Sequence, residues 1–179
     1  ADHTGSYDKI SSVGMSEHIG TANYPRYFNK INSLLRDRGL VLNHAIARRA
    51  KANKRQAKKI RPERKFLLKY IFPGSELIPV GTTTDTLENT GFEVHDVESL
   101  REHYALTLKY WSKNLTANKE EAIRLVGPEK YRLWAAYMTG GSVGFTAGSI
   151  KIYQVLASKR ASKGLSGMPP TRADLYRAA

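Results

Sequence analysis

The sequence YDKISSVGMSEHIG, residues 7–20, decides how the first part of this chain folds. Residues 7–13 alternate weakly between polar and apolar side chains, and this alternation predicts a β-strand. Gly14 predicts the turn that ends the strand. Glu17 and His18 follow directly after that turn, so a carboxylate and an imidazole lie where the strand gives way to the next segment.

A helix and a second strand follow this stretch. The helix is predicted from residue 23, with Pro25 near its first turn and Gly39 as the residue that ends it. Residues 40–42 predict a short apolar strand that runs into His44. The order strand, helix, strand favours a right-handed βαβ unit in a parallel sheet.

The rest of the chain predicts more helices than strands. We expect a loop with an aromatic anchor over residues 66–79. Helices are predicted over residues 82–89, 100–115, 118–125 and 129–139, and strands over residues 92–97 and 150–156. Gly140 and Gly141 are expected to stop the last of these helices.

Composition limits the class of protein. With 179 residues, of which 41% are hydrophobic, the chain has enough apolar surface for one domain with a sizeable core. The net charge of +13 favours an anionic partner such as nucleic acid, a phospholipid surface or an acidic protein. The absence of cysteine excludes disulfides, thiolate metal sites and cysteine nucleophiles. No apolar run reaches the roughly 18 residues that a membrane-spanning helix needs.

Most of the positive charge lies in one segment, residues 48–65. It contains ten lysines and arginines against a single acid, Glu63, which gives +9 of the +13. The segment is either a solvated basic helix or flexible excursion, or an arm that binds a lipid or another anion. The candidate contact residues are Arg48, Arg49, Lys51, Lys54, Arg55, Lys58 and Lys59.

Three residues of possible catalytic type occur on separate segments, and each also has an ordinary structural explanation. Glu17 could cap the segment that follows the first strand. His44 could be a hydrogen-bonded core histidine. Tyr104 and Trp111 lie seven residues apart on one face of a predicted helix, where core packing is the default interpretation.

Short motifs occur in order along nearly the whole chain. They are SVGMSEHIG at residues 12–20, NYP at 23–25, GLVLNH at 39–44, KYIFPG at 69–74, HYALTL at 103–108 and YQVL at 153–156. In this order and spacing they resemble the C-terminal part of the cyclopropane-fatty-acyl-phospholipid synthases and the related mycolic acid cyclopropane synthases.

The resemblance implies an α/β fold, the C-terminal half of a Rossmann-like class I methyltransferase sheet. In that fold the strand order is 3-2-1-4-5-7-6, and the four predicted strands would be strands 4, 5, 6 and an antiparallel 7. The N-terminal strands that bind the cofactor would be absent. Residues 1–158 would form the partial domain, with the basic insertion at 48–65, and residues 159–179 would form a surface tail.

The resemblance also implies a chemistry. Members of the family transfer a methyl group from S-adenosylmethionine to an acyl double bond, and a bound bicarbonate is thought to remove the proton that is then lost. Glu17, His44 and Tyr104 correspond to the residues that hold this bicarbonate, with help from the backbone near Ile46. No metal site is expected. Because the glycine-rich cofactor loop has no counterpart in the sequence, we expect no tight binding of S-adenosylmethionine by this chain alone.

Two functions remain open at this point. The chain is either part of a methyltransferase that acts on unsaturated phospholipid acyl chains, inactive alone, or a degenerate non-catalytic subunit of a larger assembly. The first implies a cytoplasmic, membrane-peripheral protein, and the second admits an organellar matrix and contact with RNA, lipid or acidic protein. In both, the strand at residues 7–13 is an open sheet edge that should pair with an N-terminal half or another chain. An independent nucleic-acid-binding domain is disfavoured because no signature motif of one is present.

Overall fold

The computed structural model describes residues 4–50 and 62–176, which form an α/β domain with a mixed four-stranded sheet. The strands are β1 (Tyr7–Val13), β2 (Leu35–Arg48), β3 (Phe92–Ser99) and β4 (Ile150–Lys159). The helices are α1 (Tyr24–Leu34), α2 (Pro62–Tyr70), α3 (Val80–Asn89), α4 (Arg101–Ala117) and α5 (Lys119–Thr146). Short 3₁₀ turns lie at Ser16–His18, Thr21–Asn23 and Arg172–Tyr176.

The strands lie in the order β1-β2-β4-β3. β1 and β2 are parallel, which confirms the predicted strand–helix–strand unit, and β4 is antiparallel to both β2 and β3. Val13 lies opposite His44, and the Gly14 N–H donates to the His44 carbonyl over 2.9 Å. The carboxyl end of β1 therefore lies beside His44, and β2 continues beyond it to Arg48.

Helices cover both faces of the sheet. On one face, residues of α1 and α3 such as Phe28 and Leu87 pack against Val41 and Val155 of the strands. On the other face, Leu108 of α4 and Phe145 of α5 pack against Ile152. Ile152 and Val155 point to opposite sides of β4 because side chains alternate along a strand. Two apolar layers thus hold the sheet in place.

The predicted role of Gly39 as the end of a helix is wrong. α1 ends at Leu34, and β2 starts at the next residue and runs through Gly39. A Cβ atom at Gly39 would lie 2.8 Å from the Arg36 carbonyl oxygen, so the glycine serves a close backbone approach within the irregular start of β2. Arg38 in this region has a positive φ of 64°.

The predicted stop at Gly140 and Gly141 is also wrong, because α5 continues to Thr146. Gly141 permits close packing of two helices: a Cβ atom there would lie 2.9 Å from Leu108 Cδ1 of α4. The separate helices predicted over residues 118–125 and 129–139 are the two arms of α5. Gly127, with φ 81° and ψ 162°, breaks the helical geometry between them.

One further segment differs from the sequence prediction, and the predicted surface tail has contacts with the sheet. Residues 66–70 belong to α2 rather than to a loop, since Pro62 starts this helix and Glu63 lies in its first turn. Residues 160–176 lie against the sheet: the Arg160 N–H donates to the Gly91 carbonyl, and Arg172 pairs with Asp96 at 2.7 Å. A cavity of about 230 Å³ separates this segment from the sheet beside His95.

Candidate functional site

Glu17 lies in the 3₁₀ turn that follows β1, and its side chain is only 4% exposed. Its Oε1 accepts the backbone N–H of Ile46 on β2 over 2.6 Å. Its carbonyl oxygen accepts the N–H of Glu76 over 2.8 Å. The parallel pairing of β1 with β2 is what places this carboxylate against the second strand. The hydrogen bond from the Ile46 N–H fixes Oε1 and leaves Oε2 free to contact another group.

His44 lies on β2 opposite the last residue of β1. Burial lowers the pKa of its imidazole, and the negative charge of Glu17 raises it by a smaller amount. The ring is therefore neutral at pH 7, with one nitrogen able to donate and the other able to accept.

Tyr104 lies on α4 and packs edge-to-face against Phe145, with ring centroids 5.0 Å apart. Burial raises the pKa of its hydroxyl, and the negative charge of Glu17 raises it further. Tyr104 therefore stays protonated and able to donate a hydrogen bond. Glu17 acts electrostatically on both His44 and Tyr104, so the structure brings together the three residues that the sequence singled out.

Several polar atoms at this site are buried without a partner. Among the described residues, Glu17 Oε2 and His44 Nδ1 have no hydrogen-bond partner, and Asn43 Oδ1, on the opposite face of β2 from His44, has none either. Ser16 Oγ is also buried, beside the Tyr24 hydroxyl but without a hydrogen bond of good geometry to it. Because unsatisfied buried polar groups are costly, such a cluster indicates a site that receives a small polar molecule.

The family described as mycolic acid cyclopropane synthetase matches residues 1–155.

The chain belongs to the mycolic acid cyclopropane synthetase family.

Sequence relatives agree with this assignment. A probable fatty acid methyltransferase of Pseudomonas putida is 39% identical over 173 residues, which are 97% of this chain and 43% of that protein. Cyclopropane mycolic acid synthase 3 of Mycobacterium tuberculosis is 34% identical over 157 residues, or 85% of this chain and 55% of that protein. This member of the family thus spans about half the length, or less, of these curated relatives.

Solved structures agree as well. The mycolic acid cyclopropane synthase CmaA1, in a complex with SAH and CTAB, superposes with a TM-score of 0.79 at 33% identity, covering 88% of this chain and 57% of that one. The cyclopropane synthase MmaA2 from Mycobacterium tuberculosis also gives 0.79, at 29% identity, with 87% and 56% covered. The α/β fold is therefore that of this methyltransferase family.

One aromatic residue beside Tyr104 is not indicated by the sequence motifs. Burial raises the pKa of Tyr137 to about 12, with a contribution from nearby Tyr104. The Tyr137 ring packs edge-to-face against Phe72 at 5.2 Å, and Phe72 lies 5.7 Å from the His18 ring. Tyr137 comes from α5, so only the packing of α5 against the 69–74 loop reveals it. Asn43, in contrast, stands out in the sequence as an amide within an apolar strand.

The basic residues of the family member are only partly described. Arg48 ends β2, and its N–H donates to the Ile78 carbonyl over 3.1 Å. Arg49 is exposed. The other candidate anion contacts lie outside the described residues: Lys51, Lys54, Arg55, Lys58 and Lys59. Their contact with lipid stays a prediction.

Metal-ligand clusters and membrane-spanning helices are both absent from residues 4–50 and 62–176. No group of three or more histidine or acidic side chains there is arranged to hold a metal ion. No helix in the same ranges is long and apolar enough to cross a bilayer.

Proposed function

We propose that this chain is the C-terminal half of an S-adenosylmethionine-dependent methyltransferase that modifies unsaturated acyl chains of phospholipids. The observation that supports this most directly is the cluster of buried Glu17 with half-buried His44 and Tyr104, which lies where β1 ends beside β2. Ligands of open α/β sheets bind at this edge. The relatives include fatty acid and sphingolipid methyltransferases, which favours lipid as the substrate class. They do not favour a non-catalytic subunit.

The donor and acceptor set at the cluster fits bicarbonate. Neutral His44 and protonated Tyr104 can donate hydrogen bonds to its oxygens, and Glu17 Oε2 can accept a hydrogen bond from its hydroxyl group. Bicarbonate, when bound, supplies a small base beside the reacting carbon. Glu17 would orient that base, because its other oxygen is fixed by the Ile46 N–H. Burial of Glu17 and partial burial of His44 and Tyr104 strengthen these interactions.

S-adenosylmethionine fits the residues of this chain less well. The G-x-G-x-x-G loop that holds such a cofactor after a strand has no counterpart among the 179 residues. We therefore propose that the cofactor is held mainly by strands outside these 179 residues. Titration calorimetry of the chain alone should show no micromolar binding of S-adenosylmethionine, and such binding would contradict the proposal.

The open side of β1 is the proposed place for those strands. In the described residues β1 pairs only with β2, and six of its seven residues are not buried. We propose that an N-terminal half adds a strand there, which makes the four strands numbers 4, 5, 7 and 6 of a seven-stranded sheet. If the chain instead pairs with its own copy at β1, light scattering will show a dimer that the N-terminal half does not disrupt.

The basic segment would contribute to lipid attraction in this proposal. Arg48 and Arg49 begin it at the end of β2. Each lysine or arginine near an anionic bilayer surface contributes about 1 kcal/mol to binding.

Reconstitution tests the proposed function. The chain is mixed with the N-terminal part of the Pseudomonas putida relative, methyl-labelled S-adenosylmethionine and vesicles of unsaturated phospholipid. We expect labelled acyl chains, detected by mass spectrometry as the addition of one carbon, only when both parts are present. Glu17→Gln should remove at least about 90% of this activity, whereas Glu98→Gln, at an exposed position of β3, should not. A stable complex without labelled lipid would contradict the proposal.

A further inference from the structure

The α4 helix has apolar residues on two opposite faces. Ala105 and Leu108 are buried in the core beneath the sheet. Leu106 and Tyr110 lie on the other side, where 54% and 62% of their surfaces are exposed. Residues three or four apart share one face of a helix, so positions 106, 109, 110 and 113 form a single outer face. An apolar outer face on a helix already anchored by its inner face indicates a second contact surface.

The charge of this outer face is positive. Lys109 and Lys113 lie beside the apolar residues, and Lys113 Nζ is 5.9 Å from the Tyr110 ring centroid. The single acid of the helix is Glu102, which pairs with Arg101 at 2.6 Å. Three basic residues less one acid leave α4 with a net charge of +2.

We propose that the outer face of α4, formed by Leu106, Lys109, Tyr110 and Lys113, docks on the surface of an anionic lipid bilayer. Helices that lie in a membrane interface combine apolar and aromatic side chains with flanking lysines, whose aliphatic stems cover apolar surface while their ammonium groups reach the headgroups. The helix is about 25 Å long and can lie along the surface over its whole length. The +13 charge of the chain favours the same partner.

A second copy of the chain fits this face less well. A two-fold contact would bring the face against itself and so place Lys109 and Lys113 near their own copies. A bilayer surface, in contrast, gives every lysine an anionic neighbour.

The same helix directs Tyr104 toward the buried cluster, so docking of α4 would hold that cluster one helix diameter from the lipid. The choice of lipid as partner rests on the proposed function, and the contact surface does not.

Site-specific labelling tests the docking. The chain contains no cysteine, so Tyr110→Cys provides a unique site for an environment-sensitive fluorophore, and Leu165→Cys, at a position 86% exposed in the C-terminal segment, provides the matched control. With phosphatidylglycerol-containing vesicles we expect a blue shift and quenching by spin-labelled acyl chains at position 110 only. Phosphatidylcholine vesicles alone should give neither.

Charge reversal supplies the second measurement. Lys109→Glu with Lys113→Glu should lower partitioning onto anionic vesicles by at least about tenfold, whereas Lys9→Glu with Lys163→Glu, an equal change of net charge, should lower it much less. The proposal is overturned if both pairs weaken binding equally, or if the label at 110 stays in water while the chain is vesicle-bound. Binding of an acidic protein but of no vesicle overturns it too. None of these readouts requires methyltransferase activity, so failure of the proposed function would leave them unchanged.

Discussion

At the scale of single residues, Glu17 controls the protonation of its neighbours. Its negative charge opposes the effect of burial on His44, so removing the charge should lower the pKa of His44 further below 6.5. We expect Glu17→Gln to shift the NMR titration midpoint of the His44 ring to lower pH, because the glutamine oxygen can still accept the Ile46 N–H. The ring of His95 in the same spectra is the internal control. A midpoint that stays or rises would contradict the electrostatic role of Glu17.

The lowered pKa of His44 also has a consequence for stability. The unfolded chain binds a proton at His44 below about pH 6.5, whereas the folded chain resists it, so the unfolded state is favoured as pH falls from 6.5 toward the folded pKa. We expect urea midpoints to decrease with acidification between about pH 6.5 and 5. His44→Gln should reduce this slope. An equal slope in both proteins would show that other groups cause the acid sensitivity.

Sequence reasoning named Glu17, His44 and Tyr104 but not the residues that surround them. The three belong to short motifs that the family resemblance identifies directly. Tyr137 lacks such a motif, because its place at the site depends on how α5 packs against the loop that contains Phe72. The roles of the three residues in catalysis stay predictions. Their proximity is a property of the fold.

At the scale of elements, glycine was the least reliable signal. The sequence correctly predicted β1 and the parallel pairing of β1 with β2. Gly39 and Gly141, in contrast, predict helix ends by their position in the sequence, but in the structure they permit close contacts with Arg36 and Leu108. Local sequence does not distinguish a glycine needed for its backbone angle from one needed for its small size, because both interrupt the pattern of a helix or strand in the same way.

The kink in α5 tests this distinction. Gly127 has φ 81° and ψ 162°, and no atom lies within 4 Å of a Cβ built there, so the cost of Gly127→Ala is conformational. We expect a loss of about 1 kcal/mol or more in the free energy of unfolding. Gly140→Ala, in the same helix and equally free of contacts, should instead stabilise by up to about 1 kcal/mol. Urea denaturation measures both, and equal effects would show that the kink is not strained by a side chain.

At the scale of the whole molecule, the C-terminal segment is an attached part of the domain. Arg172, at 2.7 Å from Asp96, holds residues 160–176 against β3. We expect Arg172→Ala to accelerate amide hydrogen exchange in that segment by roughly two- to fivefold, since a partly exposed ion pair contributes up to about 1 kcal/mol. The strands should exchange as before. Arg132→Ala, on exposed α5, is the control, and no difference between the two variants would contradict the anchoring role.

The connection between β2 and α3 is a place where the chain can change in length. The Arg48 N–H and the Ile78 carbonyl meet at 3.1 Å, so a backbone hydrogen bond joins the two ends of the segment formed by residues 49–77. Lengthening a segment whose ends are held together costs little free energy, because the entropic cost of closing it grows only with the logarithm of its length. Natural variation or protein engineering could therefore lengthen or replace residues 49–61, and so direct the protein to a different surface, while Phe72 and Glu76 keep their contacts with the site.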